Sequence, residues 1–294
     1  MTSRMLGAPE PELALAAQEE PPPTPAPLPV PEVPPTAPPA AGAAALSAAS
    51  ASGPATAAAP AAAASVPSGF EWPPSTRLSY RLSGNYRGPV DGQAQVEWLR
   101  SGTRYQVHMD LSIGPAFAPL MSRRVSSEGE ITPAGLRPSR YDEETRVVLR
   151  APRRVVVLLD ADRVRLADGS EVARLPGVQD SASQFVQLTW LFTTQPALLR
   201  PGVEIEMPLA LPRRMQTWTY EVLGAETLAT LAGEVPALHV RPRREARPGG
   251  DLTAEMWVAP SLQYLPVRIL IRQDEQTYLD LLVDRLPEQA APGR

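Results

Sequence analysis

Two histidines, no cysteine and no lysine limit the chemistry open to this 294-residue chain. His108 falls on the polar phase of a strand-like run, beside Arg104, Gln106 and Asp110, and His239 falls on the polar phase next to Arg241. An imidazole can act as a general base or bind a metal. Alternation places both rings among solvent-facing residues, so we expect solvated strand histidines. The acids Asp160, Asp162, Asp168 and Glu171 have the oxygen chemistry of a calcium site, but a calcium loop needs its ligands closely spaced around a sharp glycine turn. Here they fall in two turns, "DADR" and "ADGS". Aspartate is favoured there for local hydrogen bonding, so no metal and no cofactor is assigned. The densest basic run, "RPRREARPGG" at 241–250, carries Pro and Gly throughout and reads as a solvated hairpin loop that could form a rim.

The aromatics offer binding rather than catalysis. Trp98, Tyr105, Trp218 and Tyr220 all lie on the apolar phases of their strands, where they face a core or line a cavity. They are the candidate ligand-binding residues. Trp257 lies on the opposite phase, beside Glu255. No G-x-S-x-G elbow, H-E-x-x-H pair, dinucleotide fingerprint or phosphate loop occurs. Without lysine there is no Schiff base, and without cysteine no thiol nucleophile, disulfide or thiolate-bound zinc. No catalytic residue is assigned. The enzymatic class left open is a carboxylate-pair hydrolase, since the spacing of acids in space is not written in their order.

The elements that must position these residues alternate with period two. "RLSYRLS" aligns Leu78, Tyr80 and Leu82. "QAQVEWLR" and "TRYQVHMDL" form a hairpin across "SG", with "GNYRGPVDG" as the loop before them. A strand pair bends at "TPAG". "RRVVVLLD", "VRL" and "EVARL" continue the meander, and "QTWTYEVLG" pairs with "EVPALHVRP". "EMWVAPSLQYLPVRILI" supplies two further strands and "QTYLDLLVDRL" the last. One segment breaks the pattern. "DSASQFVQLTWLF" offers Asp180 or Ser181 as an N-cap and sets Phe185, Leu188, Leu191 and Phe192 at helical spacing, with Pro196 beyond its end. About ten strands and one helix predict a mostly β, antiparallel domain over 71–290.

Residues 1–70 have a different composition. Positions 1–69 hold sixteen of the 36 prolines and long alanine runs, with Arg4 and five glutamates as their charges. Such a segment buries too little apolar surface to offset the entropy of ordering it, and a disordered tether is the expectation. Setting it aside leaves 27 basic residues (28 less one) and 27 acidic ones (32 less five), a formal net of zero. Nucleic-acid binders carry a basic excess to neutralise phosphates, so that partner class is set aside. No run of 18 apolar residues suggests a membrane span. "LALAA" at 13–17 is too short and too acidic in its flanks for an export signal. A Pro-rich spacer ahead of a β domain nevertheless suits an envelope anchor. We therefore expect periplasmic or envelope placement and a true start upstream of Met1.

Tyr80, Leu82, Arg87-Gly88, Gly92, Ala94, Trp98, Gly102 and Tyr105, followed by "SEGEITPAGLRPSRY", "GEVPALHVRP" and "MWVAPSLQYLPVRI", come in an order that resembles the bacterial domain of unknown function 3108 family. The resemblance covers about residues 75–286. It transfers no catalytic residue, because the family has no assigned function. It implies an envelope protein and a curved antiparallel half-barrel similar to lipoprotein carriers. The chain departs from the family in showing no export signal. The functional expectation is a non-enzymatic envelope protein whose concave face binds a lipid-like or hydrophobic small molecule. The alternative is a structural or scaffolding module that recruits an envelope protein partner.

Overall fold

Alternation along the chain builds two meanders that merge into one sheet. The computed structural model describes residues 72, 75–86, 88–244 and 252–289; the segment expected to be a tether lies outside them. In the first meander β1 (Thr76–Asn85), β2 (Pro89–Ser101), β3 (Arg104–Ile113), β4 (Met121–Thr132), β5 (Gly135–Val147), β6 (Arg153–Leu159), β7 (Arg163–Arg165) and β8 (Glu171–Ala173) pair in succession. A two-residue strand, β9 (Gln179–Asp180), leads into helix α1 (Ser183–Thr194). The second meander follows with β10 (Glu204–Leu211), β11 (Arg214–Thr230), β12 (Gly233–Pro242), β13 (Thr253–Ala259), β14 (Leu265–Arg272) and β15 (Tyr278–Val283). β15 returns to pair with β1, and short β16 (Glu288–Gln289) adds to β1 as well. The path therefore runs from β8 through β1 and β15 to β9, antiparallel except at β9–β10. The ladder does not close.

This is the expected mostly β half-barrel with a helix, although it has sixteen strands rather than about ten. The sequence reading missed β9, β10 and β16. Two of these are too short to show any period. β10 carries Pro208, which normally argues against a strand; it is tolerated because β9 covers only Leu209 and Ala210 on the other flank. β1 and β2 extend into the loop expected at "GNYRGPVDG", reaching Asn85 and starting again at Pro89.

Helix α1 reports the curvature of the sheet through what its side chains reach. Gln187 Oε1 accepts the Leu136 amide of β5 at 2.7 Å, the Tyr220 hydroxyl of β11 donates to Gln184 Oε1, and Thr189 Oγ1 donates to the Tyr264 carbonyl before β14. β5 and β11 stand far apart along the sheet, so the sheet must curl around the helix. That explains a departure from the amphipathic expectation. Phe185, Leu188 and Phe192 are buried as anticipated, but so are Ser183, Gln184, Gln187 and Thr194, while Leu191 is half-exposed. A helix enclosed on several sides must satisfy polar groups on several sides. Of the two anticipated caps, Asp180 does the work: its Oδ1 accepts the Ala182 and Ser183 amides at 2.9 and 2.8 Å. Gly135 marks the closest approach. Its φ is +100°, and a Cβ there would stand 2.3 Å from Gln187 Oε1, so glycine alone fits.

Candidate functional site

Register divides the inner face of the sheet into rows, and the rows differ in how well they are covered. One row runs from Leu82 of β1 through Leu281, Ile269, Met256 and Val240 to Val222 of β11, each residue paired to the next. All six are at most 1% exposed. This half, spanning β11–β15 and β1, is a packed core. A second row runs the other way, from Leu78 through Val96, Met109 and Val125 to Glu143 of β5. Beyond Leu78 every member is only half-buried, and so are Leu111 and Arg123 in the neighbouring row. Apolar side chains here face inward and are only partly covered, with Val96, Met109 and Val125 packed along the edge of the cluster of Trp98, Tyr105, Val107 and Tyr141.

At the end of this open half lies an inward-facing ion pair. Arg123 Nη2 stands 2.7 Å from Glu143 Oε2, and the Tyr141 hydroxyl donates to the same oxygen at 2.9 Å. The Glu143 side chain is 12% exposed and that of Arg123 25%, so the pair is sheltered yet reachable. Burial works against the guanidinium charge, but Glu143 and Tyr141 beside it outweigh burial and hold Arg123 above its ordinary pKa. Burial, then the Glu143 charge, raises the Tyr141 phenol. Arg123 thus keeps its charge on an otherwise apolar wall, and a guanidinium suits a carboxylate or phosphate ligand.

The four aromatics expected to line the cavity are all on the inner face and all buried. They form two groups. Trp98 stacks on Tyr105 at 5.6 Å and on Trp72 at 5.3 Å, and Trp72 continues to Trp190 of the helix at 6.3 Å. Trp218 and Tyr220, both on β11, pair at 6.3 Å; Arg244 lies over Trp218, and the hydroxyl of Tyr220 is held by Gln184. These rings pack against the helix and one another, while the open surface lies beside them, on Val96, Met109, Leu111 and Val125. Sequence reasoning missed that surface because alternation shows which way a side chain points but not what covers it.

A buried polar chain connects β9, at one end of the sheet, to β4 and β3. Ser127 Oγ of β4 donates to Asp180 Oδ2 at 2.6 Å and lies 3.2 Å from the Tyr105 hydroxyl. Burial raises the Asp180 carboxyl above its ordinary value, opposed by the Ser127 hydroxyl and the two capping amides. Hydroxyl, phenol and carboxylate could suggest catalysis, yet Ser127 and Asp180 are 0% exposed. Asp180 anchors the helix start to β4.

The outer face corrects the histidine expectation. His239 is only 8% exposed. Its Nδ1 stands 3.2 Å from Glu226 Oε1 and its Nε2 2.9 Å from Glu255 Oε2, while the ring stacks on Trp257 at 4.0 Å. Trp257 donates to Glu226 Oε2, and Arg268, bidentate on Asp280, covers its other side at 4.4 Å. The hydrogen bond with His239, followed by nearby charges, holds Glu255 below its ordinary value. Both ring nitrogens are occupied by carboxylates, so the cluster fastens β11–β15 from outside. Trp257, whose role the sequence left open, is its centre. His108 lies on the outer face of β3, six strand spacings from β12, roughly 29 Å around the sheet. The two histidines do not meet.

The turn acids behave as expected. Asp168 Oδ1 accepts the Ser170 amide and hydroxyl, and Glu171 pairs with Arg163 and Arg165. Of the basic run, Arg243 pairs with Glu204, and residues 245–250 lie outside the described residues. Among the described residues, no cluster of three or more metal-ligating side chains occurs, and no helix is long and apolar enough to cross a membrane.

Residues 78–278 match the family described as protein of unknown function, DUF3108. The chain belongs to that family. The DUF3108 match thus takes in nearly the whole curl, from β1 into β15, including the open inner face. A crystal structure titled as a beta-barrel-like protein of domain of unknown function DUF1849, from Brucella abortus, is similar at a TM-score of 0.47 and 10% identity, covering 74% of this chain and 98% of that one. No curated protein matches the chain.

Proposed function

We propose that this DUF3108 protein is a non-enzymatic binding module of the cell envelope that holds a lipid-like or other apolar small molecule against the open half of its inner face. One observation carries the reading: Val96, Met109, Leu111 and Val125 face inward, half-exposed, beside a helix-packed core, and lead to the Arg123–Glu143 pair. Apolar burial, about 25 cal/mol per Å², drives binding, and Arg123 orients an anionic group at one end. The envelope assignment is supported by the Pro/Ala-rich composition ahead of β1, which suits a spacer from a membrane anchor.

Native mass spectrometry of the full chain, purified gently from a bacterial host, tests this. A reproducible adduct released on denaturation is expected, with its mass naming the ligand class. A mass that stays bare after incubation with membrane lipids contradicts the reading. A scaffolding role is the second reading, favoured by the packing of Trp98, Tyr105, Trp218 and Tyr220 into the core.

A further inference from the structure

Two adjacent hairpin tips leave the surface as an apolar knuckle. Phe117, between β3 and β4, is 92% exposed, and Leu149, between β5 and β6, is 96% exposed; Leu120 and Val148 beside them are each 49% exposed. The loops are joined by a hydrogen bond from the Val148 amide to the Leu120 carbonyl. Each loop is also braced internally, Ala118 to Pro115, Leu120 to Ile113 and Arg150 to Val147. Leu149 has a φ of +63°, a conformation that costs a leucine backbone strain while its side chain buries nothing. Strain spent on an outward apolar side chain points to a use outside the chain.

The charge around the knuckle indicates the partner. Segments 114–124 and 146–154 contain no Asp or Glu, and Arg124, Arg146, Arg150, Arg153 and Arg154 are all exposed there. Asp110 pairs with Arg124, Glu144 pairs with Arg146 and Arg154, and Asp91 stands beside the Phe117 loop, where its carbonyl accepts the Gly114 amide; among the described residues, five cations less three anions leave a local formal +2. The DUF3108 domain as a whole has no such excess. Two fully exposed apolar loop side chains here are ringed by guanidinium groups. This arrangement fits the boundary of an anionic bilayer, where apolar residues insert shallowly and arginines meet phosphates.

We propose that this knuckle docks the protein on an anionic membrane surface, with Phe117 and Leu149 inserted and the arginine ring on headgroups. The proposal does not depend on the ligand reading, since the inserting residues Phe117 and Leu149 lie on hairpin loops and not on the inner-face surface. The test is co-sedimentation of the full chain with phosphatidylglycerol-containing vesicles and with pure phosphatidylcholine vesicles. Binding to the anionic vesicles alone is expected, weakening as salt rises, and about tenfold or more weaker in the Phe117→Asp, Leu149→Asp double variant. Both positions are exposed, so thermal unfolding of that variant should match the parent. Because the chain has no cysteine, Phe117→Cys can carry one environment-sensitive fluorophore, and its emission should shift to the blue on vesicle addition. Absence of co-sedimentation, or co-sedimentation unchanged in the double variant, overturns the proposal. So does a blue shift that grows with protein concentration without vesicles, which would make the knuckle a contact between copies of the chain.

Discussion

The two halves of the inner face are built from the same alternating pattern and differ in what lies over them. Over β11–β15 and β1 the row from Leu82 to Val222 is sealed, and Gln184 and Thr189 of helix α1 dock on that side. Over β2–β5 one row, Trp98, Val107, Ser127 and Tyr141, is buried too, while the rows beside it, through Val96, Met109 and Val125 and through Leu111, are half-exposed and end on Glu143 and Arg123. A strand's period decides which side a residue faces. What packs over that side decides whether it becomes core or surface.

Substitutions should separate the halves by size of effect. Ile269→Ala removes a side chain from the sealed row and should cost about 3–4 kcal/mol in denaturant unfolding, because the cavity cannot collapse against the helix. Gly135→Ala should cost about 2 kcal/mol, since the left-handed backbone and the contact with Gln187 both oppose a Cβ. Leu111→Ala on the open side should cost about 1 kcal/mol or less, because less area is lost and water already reaches the site. Equal losses at Ile269 and Leu111 would show that the open half is in fact packed, and the comparison would fall.

The junction between the halves carries a smaller effect that depends on pH. Asp180 has a folded-state pKa above its unfolded value, which is about 3.9. Below that value the carboxyl is protonated in both states and contributes nothing. As pH rises through the unfolded value and on through the higher folded one, the unfolded chain releases its proton first, and stability is lost. Asp180→Asn keeps a carbonyl oxygen for the two capping amides and should flatten this part of the stability profile, which begins as pH rises above the unfolded value. A variant that loses as much stability over the same rise in pH would show that Asp180 is not its source.

Much of the fold was legible because β-strands declare their faces. Leu78, Tyr80 and Leu82 alternate cleanly and are buried as read. Asp180 was recognisable as a helix cap from its place before an apolar run at helical spacing. β10 was hidden by Pro208, and β9 and β16 by their length. The candidate surface was only half legible. Aromatic residues drew attention to Trp98, Tyr105, Trp218 and Tyr220, whose size is what fills the space around the helix. The smaller Val96, Met109 and Val125 form the open wall and carry no compositional signal. His239 misled for a related reason. Its polar phase was read correctly, but burial on an outer face came from Trp257, Glu226 and Glu255, which lie on β11 and β13.

The account rests on the claim that the open half binds an apolar ligand while the sealed half only holds the curl. The most direct measurement is titration of the full chain with N-phenylnaphthylamine, whose fluorescence rises on leaving water, compared with Met109→Glu and Val125→Glu. Saturable binding at one site is predicted for the parent, with affinity falling by about tenfold or more in each variant and thermal unfolding little changed. No saturable binding by the parent, or equal binding by both variants, would contradict it.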